Sequence, residues 1–307
     1  MTDLDQPRFA AGAAYIDGRY MPVAEAAIPL TDWGYRRSDV TYDVVGVWDG
    51  AFFRLDDHIR RFRASMEGLH MKPAESDDEI RAILHRIVRL SGLRAAYVAM
   101  DCLRGVPAPG KPRHPAHARN YIAAFAVPWV SVASPEMCER GLHLMIGDTL
   151  RIPPESVEPR YKNFHWGDLT RGQFEAMEKG ADFAILLDAQ GNVTEGAGFN
   201  VFSITDGVVA TPDRGALDGI TRLSMIELCE ELGIRCEVRP VPAAELRDAD
   251  EIFTCTTAGG VMPASRIDGR IMGNDRPGPI SVRLRDAFWA KRAEGWHATP
   301  VDYDAVD

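Results

Sequence analysis

Lys162 stands in PRYKNFHWGDL, residues 159–169, between Tyr161 and Asn163 and ahead of Phe164, Trp166 and Leu169. An amine that attacks a carbonyl must be neutral, and burial or a cationic neighbour such as Arg160 lowers a lysine pKa toward that state. The same pattern also describes a structural lysine at the entrance of a helix. Glu195, in VTEGAGFNVF (residues 193–202), is followed by Gly196, Ala197 and Gly198. Those small residues let a planar ligand approach the backbone, and a buried carboxylate asks for a partner such as a protonated ring nitrogen. A plain turn with a surface glutamate reads the same way. In LDGITR, residues 217–222, Gly219, Ile220 and Thr221 precede a predicted helix. Backbone N–H groups at a helix start, with the Thr221 hydroxyl, suit an anion, although threonine is also an ordinary N-cap. CTTAGG, residues 255–260, offers the hydroxyls of Thr256 and Thr257 and the amides of Ala258, Gly259 and Gly260. His58 and Arg61, three apart, share one helix face. Arg61 can fork a phosphate dianion, or pair with Asp57.

These groups need elements to hold them. DVVGVWDGAFFRL predicts a hairpin turning at Asp49-Gly50. Asp56 and Asp57 sit where an N-cap belongs, ahead of Ile59, Phe62, Met66 and Leu69 at helical spacing. A second helix is predicted from Ser76, with Ile80, Ile83, Leu84, Ile87 and Val88 on one stripe and Gly92 as its stop. AAYVAMDCLRG and NYIAAFAVPWV read as buried strands. The Pro-, Gly- and His-rich loop between them is long for a compact domain, and such loops are commonly functional. After a boundary near Pro128–Pro135 come strands LHLMIGDTL, DFAILLD and FNVFSITDGVVATP, the last folded at Asp206-Gly207. Strand EIFTCTTAGG and helices WGDLTRGQFEAMEKG, TRLSMIELCEELG and PISVRLRDAFWAKRAEG complete the set. Strands and helices interleave without a regular period and without GxGxxG. The expected fold class is α+β, an irregular α/β arrangement, and not a Rossmann fold. Two domains are expected, a small N-terminal one over 1–130 and a larger C-terminal one over 131–307.

Composition narrows the function classes. The chain has 307 residues, 46% hydrophobic and 26% charged, with a net charge of −10. That acidity argues against a nucleic-acid footprint, which needs clustered Lys and Arg. No apolar run approaches a membrane span or a signal peptide. The five cysteines form no paired CxxC and read as reduced thiols of a cytoplasmic protein. The motifs ask for no metal.

An amine, a carboxylate and several phosphate donors are together what pyridoxal 5'-phosphate requires. Their order along the chain, HIRRF, RYKN, TEGAGFNVF, LDGITR and CTTAGG, resembles the fold-type IV pyridoxal-phosphate enzymes: branched-chain aminotransferases, D-amino acid transaminases and aminodeoxychorismate lyases. Within that group DWGYRRSDVTYDVVGVWDGAFFRLDDHIRRF, KNFHWGDL and CTTAGGVMP are similar to the (R)-selective amine:pyruvate transaminases. The resemblance implies the two-domain D-amino acid aminotransferase-like fold, a homodimer, and transfer of an amino group from a primary amine to a keto acid. It implies Lys162 as the Schiff-base lysine and Glu195 as partner of the pyridine nitrogen. It places Arg61, Gly219, Ile220, Thr221, Thr256 and Thr257 around the phosphate and Leu217 on the ring. Tyr42, Tyr97, Ala258 and Arg119 are expected at the substrate, with Arg113 as rival to Arg119 for a substrate carboxylate. Gly46 stands where relatives carry a bulkier residue, and Ala99 where some carry glutamate, so the pocket should be larger or less polar.

Overall fold

The computed structural model describes residues 6–305; the acidic start of the chain and the last two residues of the DYDAVD tail lie outside them. Two compact units emerge. The first runs through Val130 and also takes in Tyr161–Phe164 and the segment from Trp296 onward; the second comprises Ser131–Arg160 and His165–Gly295. Two short segments on the far side of a single cut at residue 130 therefore pack with the first unit.

The first unit is built on one sheet. Its strands are β1 (Ala13–Ile16), β2 (Arg19–Pro22), β3 (Val40–Trp48), β4 (Ala51–Phe53), β5 (Ala96–Leu103) and β6 (Tyr121–Pro128), with Ala298–Pro300 paired to β4 at one edge. The hairpin at Asp49-Gly50 forms as expected, both residues having positive φ (50° and 74°), which suits a tight two-residue turn. Alternation along the strands divides the sheet faces. Val45, Val47, Val98, Met100, Cys102, Ile122 and Ala124 point to a core with Phe52, Phe62, Met66, Leu84 and Ile87. Each such Val, Ile, Leu, Met or Phe side chain contributes about 1.5–3 kcal/mol on burial.

The helices Leu55–Gly68 and Asp77–Ser91 supply the other wall of that core. The second starts at a capping box: Glu79 N–H donates to Ser76 Oγ, and Ser76 N–H donates to the Glu79 carboxylate. Gly92 ends it in the left-handed region. The first departs from expectation. Its cap position is Arg54, and Asp56 and Asp57 lie inside the first turn, where a carboxylate still complements the helix dipole. Asp57 is held there by Arg54 and Arg60. The long loop is ordered locally by a turn at Pro115–His117 and a bridge from Pro107 to Ala118.

The second unit holds strands β7 (Leu142–Leu150), β8 (Phe183–Leu187), β9 (Val193–Gly196), β10 (Phe199–Thr205), β11 (Val208–Thr211), β12 (Cys236–Val238), β13 (Glu251–Thr256), β14 (Gly260–Ile267) and β15 (Arg270–Ile271). Pairing runs β10-β13-β14-β7-β8-β9 and returns from β9 to β10, closing six strands into a barrel. Closure removes strand edges and buries the inward side chains. Helices Gly167–Glu178, Ile220–Glu231 and Pro279–Ala293 complete the unit. Parallel and antiparallel pairs mix in this sheet. All five cysteines are free; Cys102, Cys229 and Cys255 are buried. Among the described residues no helix is long and apolar enough to cross a membrane.

Candidate active site

Lys162 is not at a helix entrance. The next long helix starts at Gly167, and residues 161–163 instead line the edge of β3. The Lys162 carbonyl accepts from the Tyr42 N–H (3.1 Å) and the Thr41 hydroxyl (2.7 Å), and its own N–H donates to Ser65 Oγ. Tyr161 lies against helix Leu55–Gly68 at Gly68, where a Cβ would come within 2.3 Å of the tyrosine ring. The backbone on both sides of the lysine is thus fixed. Lys162 Nζ rests 4.3 Å from the centre of the Tyr42 ring, and Phe164 meets the same ring edge-on at 4.9 Å.

His58 and Arg61 do share a face, and one carboxylate collects both. Asp43, on the core side of β3, is fully buried. Arg61 donates to it through Nε (2.7 Å) and Nη2 (2.8 Å), and His58 Nδ1 lies 2.8 Å from Asp43 Oδ1. The partner of Arg61 is therefore Asp43, not Asp57. Burial would raise the Asp43 carboxyl, but Arg61 and His58 outweigh it and hold it well below the usual range. Burial, with Arg61 beside it, keeps His58 below its ordinary pKa against the pull of Asp43. The sequence assigned Asp43 no role; its place opposite the helix face of His58 and Arg61 is a tertiary fact.

In the second unit Glu195 is buried on β9, which rules out a surface turn. Arg151, one residue past β7, donates to Glu195 Oε1 from Nε (3.1 Å) and Nη2 (3.0 Å), and to Asp168 from Nη1 (2.6 Å). The Leu217 N–H donates to Glu195 Oε2 at 3.0 Å. Burial by itself would lower the Arg151 pKa; the two carboxylates outweigh it and keep the guanidinium charged. Arg151 and Asp168 are functional neighbours that sequence reading missed. The arginine's only signal was its position directly after a predicted strand.

Leu217 is clamped from its other end as well, its carbonyl accepting from Asn200 Nδ2 at 2.8 Å. Gly219 follows because Asn200 is so close: a Cβ there would fall 1.9 Å from Asn200 Oδ1. Gly219 is the N-cap of helix Ile220–Glu231, and no side chain caps it. Thr221 is therefore the second helical residue rather than the cap. Its side chain is buried at a helix start whose N–H groups favour an anion. Thr257 and Ala258 form the turn between β13 and β14, Thr256 closes β13, and the Ala258 carbonyl accepts from the Val132 N–H.

The substrate candidates lie on the face of the first sheet that carries Lys162. Register sets Gly46 opposite Tyr97, Val44 opposite Ala99 and Tyr42 opposite Asp101. Tyr97 stacks on Phe125 of β6, and burial pushes its phenol above the usual range. Arg119 forks Asp17 through both terminal nitrogens, lies over the Tyr121 ring (5.9 Å) and remains largely exposed. Arg113 rests over Trp33, 5.6 Å from the ring centre. The amine, the fixed carboxylate, the uncapped helix start and the hydroxyl turn are the donor set that the carbonyl, ring nitrogen and phosphate of pyridoxal phosphate need, so the residues present fit that group.

Residues 41–267 match the amino-transferase class IV family. The chain belongs to the class IV aminotransferases. It is 30% identical over 277 residues to a putative branched-chain-amino-acid aminotransferase of Methanocaldococcus jannaschii, covering 89% of this chain and 94% of that one. It is 28% identical over 275 residues to the D-alanine aminotransferase of Bacillus licheniformis, with the same two coverages of 89% and 94%. In structure it resembles the branched-chain amino acid aminotransferase from Thermobaculum terrenum in its PLP form, at a TM-score of 0.84 and 29% identity over 94% of this chain and 98% of that one. It is thus a pyridoxal-phosphate-dependent aminotransferase with the two-domain fold-type IV architecture.

Proposed function

We propose that this aminotransferase takes its amino group from a primary amine, R-configured where the carbon is chiral, and delivers it to a keto acid such as pyruvate. One observation carries the reading. On the sheet face that bears Lys162, strands β3, β5 and β6 present Tyr42, Val44, Gly46, Tyr97, Ala99, Ala123 and Phe125, and the ionisable acid or base they add is Asp101, an acid. A donor carboxylate would meet no fixed cation there and one like charge, which is unfavourable in a poorly solvated setting. An uncharged donor arm meets neither problem. The R preference rests on the likeness of KNFHWGDL and CTTAGGVMP to R-selective relatives.

Bound pyridoxal phosphate supplies a carbonyl for amine exchange and a ring that takes up the electron pair left when the donor carbon loses its proton. The chain's own residues do the rest. Lys162 Nζ holds the cofactor and then takes and returns the proton of the donor carbon. The Glu195 carboxylate, paired with Arg151 and oriented by the Leu217 N–H, would hold a proton on the ring nitrogen. Arg61, the Ile220 and Thr221 amides, and the hydroxyls of Thr221, Thr256 and Thr257 take the phosphate, and Gly219 admits it to the helix start. Leu217 packs on the ring. Arg119, released from Asp17, receives the keto-acid carboxylate, with Arg113 as the alternative. The working form is a homodimer.

The names of the relatives favour a second reading, a branched-chain or D-amino acid aminotransferase. The deciding experiment is a donor panel with pyruvate: both enantiomers of 1-phenylethylamine, D-alanine and L-leucine. Turnover of the R amine above all others is expected. Selective turnover of L-leucine or D-alanine overturns the reading in favour of the second. Lys162→Ala is the control, and should lose all turnover at intact fold.

A further inference from the structure

Asp101 belongs to no motif of the chain, yet strand register sets it in a row with Lys162 and Tyr42. Tyr42 is flanked on one edge of β3 by the Lys162 segment and on the other by β5, where Asp101 is its direct cross-strand partner. Lys162 Nζ lies over the Tyr42 ring, so all three side chains occupy one face. Two inter-strand spacings of ~4.8 Å separate the backbone of Lys162 from that of Asp101. The tyrosine ring lies across the interval.

The surroundings of Asp101 on that face are apolar. Ala99 and Leu103 are its neighbours along β5, and Ala123 is its partner on β6. Among the described residues the carboxylate makes no hydrogen bond and no ion pair, and burial alone pushes its pKa up to about 7. Asp43, one strand away and on the opposite face, shows the contrast: it is deeper but held by the Arg61 guanidinium and the His58 ring. A carboxylate left without a cation in a poorly solvated place gains most from one that arrives with a ligand.

We propose that Asp101 selects aliphatic diamines as amino donors, its carboxylate receiving the distal ammonium while the near amine reacts at Lys162. The inference rests on the donor being a primary amine and narrows that class. The chemistry balances without an added oxidant. The near carbon exchanges its C–N bond for C=O and leaves as an amino-aldehyde. The nitrogen and the electron pair pass to the keto acid, which leaves as an amino acid. The two-row spacing favours a chain of several methylenes between the nitrogens.

The test compares 1,5-diaminopentane, 1-aminopentane and 5-aminopentanoate as donors to pyruvate, with the wild-type holoenzyme and with Asp101→Asn and Asp101→Leu. Loss of one member of a buried charge pair predicts a fall of roughly 30-fold or more in kcat/KM for the diamine in both variants, mostly through KM. The 1-aminopentane rate, unchanged or raised, reports that the variants are folded and loaded. In wild type the order should be diamine, then aminopentane, then aminopentanoate. Equal effects on all three donors, or no wild-type preference for the diamine, overturn the role of Asp101 and leave the amine reading intact. Turnover of L-leucine or D-alanine with none of any amine overturns both.

Discussion

Each unit buries one carboxylate against one arginine, and the two pairs are built in opposite senses. In the first unit Arg61 is the group proposed to meet the phosphate, and Asp43, sealed under the sheet with His58, holds it in place. In the second unit Glu195 is the group proposed to meet the ring nitrogen, and Arg151, tied also to Asp168, holds it. A buried ion pair contributes little net stability, since desolvation offsets attraction. Its use here is orientation: the deeper partner has satisfied contacts on several sides, and the shallower one inherits a single geometry. In the proposed function the same pair chemistry would present a cation to phosphate and an anion to a ring nitrogen.

The sharpest way to break the comparison is to remove the holder. Arg151→Met leaves Glu195 and Asp168 buried without their cation, and loss of one partner of a buried pair costs about 3–5 kcal/mol. Denaturant unfolding should show that drop. An unchanged midpoint would mean that solvent, not Arg151, supports Glu195. Removing the held charge instead should spare the fold and strike the chemistry. Glu195→Gln should retain cofactor and lose at least about 100-fold in kcat, roughly 2.7 kcal/mol at 1.36 per decade. A rate equal to wild type would reduce Glu195 to a structural role.

Asp43→Asn tests the other sense. Arg61 keeps its charge but loses its forked, charge-assisted anchor, worth about 1.5–3 kcal/mol. Cofactor affinity, read by absorbance titration of the apoprotein, should fall about 10- to 100-fold, while kcat at saturating cofactor changes little. A kcat loss at full occupancy would move Asp43 from holder to reactant.

The smallest expected effect sets Asp43 against Asp101. Asp101 has a folded-state pKa raised from 3.8 to about 7, so its charge opposes folding. That penalty is absent below the unfolded pKa, grows as pH rises from about 4 to 7, and is complete above 7. Asp101→Asn should therefore match wild type near pH 4 and exceed it above pH 7. The gain should be about 2 kcal/mol, half the full shift at 1.36 kcal/mol per unit, because the side chain is partly open to water. Thermal midpoints across that pH range read the difference. A gap of the opposite sign would show that Asp101 has a cation beside it in the folded protein.

Much of this architecture was legible in the residues. The Asp49-Gly50 hairpin, the Ser76 capping box with its Gly92 stop, and the strands on either side of Asp206-Gly207 rest on local rules: turn geometry, cap hydrogen bonding and side-chain period. The order of motifs was enough to reach the family and the cofactor, because an amine, a carboxylate and phosphate donors are demands of the ligand itself.

The holders were not legible. Asp43 is 18 residues from Arg61 and Arg151 is 44 from Glu195, and no single helix or strand holds both partners of either pair, so no one period links them. Asp56 and Asp57 looked like caps and Asp57 like the partner of Arg61, since chain neighbours are all that a linear reading can weigh. Lys162 was legible as lying ahead of the helix that starts at Gly167, but not as part of a segment that pairs with Thr41 and Tyr42 at the edge of a sheet. Residue types and local spacing determined which groups could act. Which of them are held, and by what, was decided by strand register and burial, because ion-pair energies depend on separation and solvent exclusion in space and not on separation along the chain.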